Sequence, residues 1–233
     1  DHNFDESFLN NQQAYYNARS AEYDDWFYRR GRYDRGPEIN QVWHDEAAMV
    51  RKALATFNPT GGVLELACGT GIWTVELAKY SSSITAVDGS AEMLAINQAK
   101  LQNSSITYQQ ADLFNWQPGQ IYDVVFFSFW LSHVPEDRFV PFWDAVKRAL
   151  KPNGRVFLID SLPKKESRST NNSAVDASSS MQKRLLNNGN EYLIVKRYYE
   201  LEKLSGQLNK LGWNAAFEAT PEFFFYGSIT PCT

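Results

Sequence analysis

VLELACGTGIWT, residues 63–74, carries an apolar strand directly into a glycine-rich turn and on into a helix-forming segment. A junction of this kind places a ligand at the carboxyl end of the strand. Glycine lets the backbone approach it, and the helix that follows offers unpaired amide groups. The spacing narrows the choice of ligand. After Gly69 and Gly71, the third position of a dinucleotide fingerprint is Thr74, and a third glycine is what permits tight helix-to-strand packing beside a pyrophosphate. A Walker lysine is also missing, so the turn is neither a standard nicotinamide or flavin loop nor a nucleotide-triphosphate loop.

Working outward, further short apolar segments recur: SITAVD (83–88), SITYQQAD (105–112), YDVVFFSFW (122–130) and RVFLID (155–160), each bounded by Gly, Asn, Pro or Ser. Helical patterns over 72–79, 91–101 and 136–150 separate most of them. Upstream, Trp43, Ala47, Val50, Leu54 and Phe57 recur at three- and four-residue steps, which predicts a helix ending before Asn58-Pro59. Alternating strands and helices predict an α/β fold with a mostly parallel sheet covered on both faces. Beyond Ser161 the polar run PKKESRSTNNSAVDASSS reads as a mobile surface loop, and RLLNNGNEYLIVKRYY (184–199) as a β-hairpin around Asn-Asn-Gly-Asn. A helix over 200–211 and strands near 213–219 and 222–229 complete the pattern.

The order Glu65-x-Ala67-x-Gly69-x-Gly71, with Asp88 closing the second strand and Asp112 the third, resembles class I S-adenosylmethionine (AdoMet)-dependent methyltransferases, in particular their bacterial small-molecule branch, which serves natural-product biosynthesis. The resemblance spans roughly Val63 to Asp160. Ala67 stands where the motif has its first glycine, and the reading here is that this position needs only a negative φ. The resemblance implies a Rossmann-like, seven-stranded, mostly parallel sheet with an antiparallel C-terminal strand, an N-terminal helical lid and an added hairpin. It implies one methyltransferase domain over 1–233: lid 1–57, AdoMet-binding core 58–161, loop plus hairpin 162–199, and helix with strand pair 200–233. It also implies that Glu65, Ala67, Gly69, Gly71, Asp88, Gly89, Met93, Asp112, Leu113 and Phe129 contact AdoMet, with Asp88 at the ribose and Asp112 at the adenine. Tyr23 and Arg30 are expected to reach the cofactor from the N-terminal segment. Taken singly, each aspartate also suits a turn or helix cap.

Methyl transfer from a sulfonium is a one-step displacement that needs alignment and water exclusion, and a base only for a tightly held proton. His133 lies in SFWLSHVP after the fourth strand, where its ordinary pKa suits a base or a substrate hydrogen bond; capping the next helix is the alternative. Tyr15, Tyr16, Trp26, Trp130 and His133 are the expected acceptor pocket. The acceptor is expected to be a small aromatic or hydrophobic metabolite, methylated on O or N, or on C.

Composition bounds the rivals. With 43% hydrophobic residues, 15% aromatic residues and a net charge of -4, the chain suits a globular enzyme and repels polyanions. SFWL does not match the Asn/Asp-Pro-Pro-aromatic motif of nucleic-acid amine methyltransferases. The stretch YDDWFYRRGRYDRG (23–36) offsets four arginines with three aspartates, so it reads as a lid or latch and not as a nucleic-acid strip. No acidic cluster suggests a metal, and the unpaired Cys68 and Cys232 fit a reducing cytoplasm. A metal-free, cytoplasmic monomer or homodimer, without nucleic acid or membrane, is the expectation. A protein or RNA methyltransferase, a non-catalytic AdoMet-binding partner and a nicotinamide oxidoreductase are the alternatives.

Overall fold

The structure, a computed structural model, describes residues 6–170 and 180–232. Three N-terminal helices, α1 (Glu6–Arg19), α2 (Tyr23–Phe27) and α3 (Pro37–Phe57), precede strand β1 (Gly62–Leu66). There follow α4 (Thr74–Leu77), β2 (Ser83–Asp88), α5 (Ala91–Leu101), β3 (Ile106–Gln110), β4 (Tyr122–Ser128), α6 (Glu136–Ala149) and β5 (Leu150–Ser161). The hairpin strands β6 (Met181–Leu185) and β7 (Glu191–Val195), helix α7 (Leu201–Lys210) and strands β8 (Trp213–Ala219) and β9 (Phe224–Pro231) complete the fold.

Seven strands form one sheet in the order β3-β2-β1-β4-β5-β9-β8. The first five run parallel, and β9 runs antiparallel between β5 and β8. The order reverses direction between β1 and β4, the switch point at whose carboxyl end α/β sheets bind ligands. Alternation along β4 supplies both cores: Val124 and Phe126 face one apolar cluster with Trp43 of α3, and Val125 and Phe127 face the other with Trp143 of α6. Among the described residues no helix is long and apolar enough to cross a membrane.

Several elements differ from the sequence expectation. The helix after the glycine turn is only the four-residue α4, because the Gly71 amide turns back onto the Cys68 carbonyl at 3.2 Å and uses up the first turn. LKPNG bulges out of the ladder: Tyr122 pairs with Leu150, and Val124 pairs next with Arg155. The hairpin forms its own two-stranded sheet, packed on α1 through Tyr15, Leu186 and Ile194. Part of the loop expected to be mobile, residues 171–179, lies outside the described residues.

Candidate active site

A cavity of about 430 Å³ opens at the carboxyl ends of β1 to β4. Ala67 and Gly69 line it from the first strand, Asp88, Gly89 and Met93 from the second, Asp112 and Leu113 from the third, and Phe129 from the fourth. Asp88 ties two of these loops together: its Oδ2 accepts from the Gly69 amide and its Oδ1 from the Ser90 amide, each at 2.9 Å. Each oxygen keeps a second lone pair, which a ribose hydroxyl can use. Burial raises the Asp88 pKa above its ordinary value, against these amide bonds. Asp112 shapes the turn after β3. Its oxygens accept from the Phe114 amide at 3.0 Å and from Asn115 Nδ2 at 2.6 Å, and its side chain still borders the cavity.

The backbone around the cavity is strained. Ala67 has φ +54° and Phe129 has φ +52°, beside Gly69 at +53° and Gly71 at +89°. The negative φ expected for Ala67 is therefore wrong: the chain here needs the left-handed conformation, which costs a non-glycine residue about 1–2 kcal/mol. Strain of this kind collects at binding sites, where the surrounding fold overdetermines it.

Three expected cofactor contacts do not border the cavity. Gly71 packs under the loop, where a Cβ would meet Asn97 Oδ1 at 2.6 Å. Asn97 in turn donates to Thr74 Oγ1 at 2.9 Å, so Thr74 serves loop packing directly. Glu65 is buried in β1, with Oε2 lacking a hydrogen-bond partner. Burial, opposed by a hydrogen bond from Thr74, pushes its pKa up to about 8, so it is a neutral acid at pH 7. Arg30 points to solvent and pairs with Asp25 at 3.1 Å.

A second, smaller cavity of about 70 Å³ lies next to the first. The expected acceptor residues Tyr15, Tyr16, Trp26 and His133 line it, whereas Trp130 faces the larger cavity. Tyr16, Tyr23 and Phe129 line both. His133 is fixed by its Nδ1, 2.6 Å from the Val195 carbonyl, so Nδ1 carries the proton and Nε2 the lone pair. Burial, reinforced by Lys196, holds its pKa well below 6.5. Asp160 does not point toward a ligand: it accepts from the Ser132 amide at 2.9 Å and lies 3.3 Å from Lys196 Nζ.

The small cavity also holds residues that sequence reasoning missed: Arg19, Arg168, Arg184, Lys196 and Tyr198. In the hairpin, Gln182 and Arg184 alternate inward, and the sequence reading gave neither side chain a place in a pocket. Stretch 23–36 builds this chamber's frame. Arg29 Nη2 and Arg32 Nη1 donate to the Glu166 and Leu185 carbonyls, both at 2.5 Å, and Arg35 Nη2 donates to the Arg168 carbonyl at 2.9 Å. At its other end, Asp24 accepts from Thr70 of the glycine loop at 2.5 Å and from Lys100 at 2.9 Å.

A methyltransferase-domain profile matches residues 63–154. The solved complex of DhpI with SAM and HEP is 33% identical, with a TM-score of 0.80, over 98% of this chain and 100% of that one. A demethylmenaquinone methyltransferase of Lactococcus lactis is 32% identical over 42% of this chain and 41% of its own length. A ubiquinone biosynthesis O-methyltransferase of Cronobacter sakazakii is also 32% identical, over 41% and 40%. The chain thus spans less than half the length of these two curated relatives. With the sheet order, the strained loop and full-length similarity to DhpI together, the chain belongs to the class I AdoMet-dependent methyltransferases. Within that class it is similar end to end to DhpI, and AdoMet is its cofactor.

Proposed function

We propose that the protein moves a methyl group from AdoMet in the larger cavity to an oxygen or nitrogen, or to a carbon, of a small molecule in the smaller one. The observation that carries this is the wall common to both, made by Tyr16, Tyr23 and Phe129. Bound AdoMet supplies a methyl group on a positively charged sulfur. Direct displacement then asks the chain to align the acceptor and keep water out. Asp88 and Asp112 hold the two ends of the adenosine, and the 67–69 backbone supports the rest of the cofactor. Tyr16, Tyr23 and Phe129 screen the transfer line from solvent. His133 offers the Nε2 lone pair to a protonated acceptor atom, as hydrogen-bond acceptor or as base.

The rings of Tyr15, Tyr16 and Trp26 support an apolar part in the acceptor, and the cations beside them favour a charged part. The net charge of -4 supports a metabolite over a nucleic acid. We read the protein as a cytoplasmic monomer or homodimer. Calorimetric titration with AdoMet and with NADH tests the donor, and methyl-labelled AdoMet in metabolite extracts, followed by mass analysis, identifies the product. Binding of NADH without AdoMet would reject this function.

A further inference from the structure

Asn97 of α5 is fully buried beneath the glycine loop, and three hydrogen bonds converge on its side chain. Its Nδ2 donates to the Gly69 carbonyl at 3.3 Å and to Thr74 Oγ1 at 2.9 Å, and its Oδ1 accepts from Tyr108 Oη at 3.0 Å. Tyr108 belongs to β3, Thr74 opens α4, and Glu65, next in line, lies in β1.

The chemistry of these partners permits one order of protons. A backbone carbonyl only accepts, so the end of the Asn97 amide that faces Gly69 is the NH2 group. The amide oxygen then faces Tyr108, whose phenol has to donate. Thr74 Oγ1 already accepts from Asn97, which leaves its own hydrogen for the Glu65 carboxyl. The chain therefore runs one way, from Tyr108 through Asn97 and Thr74 to Glu65, and bonds in such a chain polarise one another. It ends on a carboxyl whose Oε2 has no hydrogen-bond partner. The titratable groups that act on Glu65 are Asp88 from β2, Cys68 from the loop and Tyr108 from β3, all of them acids, so the carboxyl stays neutral.

The same amide fixes the loop. Gly69 is held from two sides, its N–H by Asp88 at 2.9 Å and its carbonyl by Asn97. Because the peptide is planar and trans, drawing the Gly69 carbonyl toward α5 turns the Thr70 N–H away from it. Gly71 leaves the room that Asn97 fills, since a Cβ there would meet Oδ1 at 2.6 Å.

We propose, resting on the reading of the larger cavity as the AdoMet site, that Asn97 is a positioning residue for the methyl donor. It does not line the cavity. It acts through Gly69, by setting the tilt of the Gly69–Thr70 peptide against which AdoMet lies, and through Thr74, by directing that hydroxyl onto Glu65.

The test reads AdoMet binding and the Glu65 carboxyl in one set of variants. By calorimetry the AdoMet Kd is expected to rise about tenfold or more in Asn97→Ala, and about two- to fivefold in Tyr108→Phe, which leaves the amide in place without its orienting donor. Infrared spectra at pH 7 should show the band of a buried neutral carboxyl, assigned by its loss in Glu65→Gln. That band should be displaced in Thr74→Val and equally in Asn97→Ala, whereas a residue that only filled space would leave it where it is. Cooperative unfolding in urea shows which variants are folded. Should Asn97→Ala not fold, Tyr108→Phe decides, because it removes one partly buried hydroxyl and no packing atom. A folded Asn97→Ala that binds AdoMet within about twofold of the wild type, or keeps the wild-type band, overturns the proposal; so does a Tyr108→Phe protein with both Kd and band unchanged. Failure of the wild type to bind AdoMet would instead overturn the reading of the cavity on which the proposal rests.

Discussion

Asp88 at the end of β2 accepts the amide proton of Gly69 at 2.9 Å, so one residue both shapes the glycine loop and lines the larger cavity. Asp88→Ala removes both roles. AdoMet affinity is expected to fall at least tenfold, since a hydrogen bond to a charged group is worth about 1.5–3 kcal/mol. Calorimetry checks it, and an unchanged Kd would mean that the ribose lies elsewhere.

Ala67 at φ +54° is held in a conformation that glycine adopts freely. Ala67→Gly is therefore expected to stabilise the protein by up to about 1 kcal/mol, the relief of left-handed strain less the added chain entropy. Denaturant unfolding gives the answer as a higher midpoint at constant slope. A lower midpoint would show that the Ala67 methyl contributes packing that outweighs the strain.

Glu65 titrates at about 8 in the fold, against 4.5 for the free side chain. Between these values the folded state holds a proton that the unfolded state has lost, so the Glu65 contribution is complete below about pH 4.5 and is lost as pH rises to about 8. Glu65→Gln, uncharged at all pH, should flatten the decline in stability across that window. Parallel stability curves for the two proteins would contradict the assigned protonation.

His133 keeps its lone pair on Nε2 because its pKa lies well below 6.5. The turnover profile should accordingly show no loss of activity from this group as pH falls through 6.5. His133→Ala is expected to lower kcat by roughly 10²-fold or more if Nε2 takes a proton in the reaction. A kcat within a few-fold of wild type with a raised KM would leave it a positioning role only.

Most of the larger cavity's strand-end lining was legible in the sequence. VLELACGTGIWT, Asp88 and Asp112 sit where strand-to-loop junctions put them, and such junctions follow from local pattern alone. The bounds 83–88 and 213–219 match the strands observed. The small cavity was not legible, because no local pattern announces it. Arg19 and Arg184 meet only when the hairpin docks on α1, through Tyr15, Leu186 and Ile194 and through Gln12, which donates to the His133 carbonyl at 3.2 Å and accepts from the Val195 amide at 2.8 Å. Read on a hairpin strand, an arginine looks solvated. Arg30, singled out for the cofactor, shares its stretch with arginines that grip carbonyls instead, and nothing in the residue type tells the two apart.

The five cationic residues of the small cavity all lie outside residues 63–154, which the methyltransferase-domain profile matches and which supply most of the larger cavity's wall. The walls of the two cavities are thus drawn from separable lengths of chain. Moving the small cavity's lining to another scaffold therefore takes the hairpin together with α1, since Arg184 comes from one and Arg19 from the other.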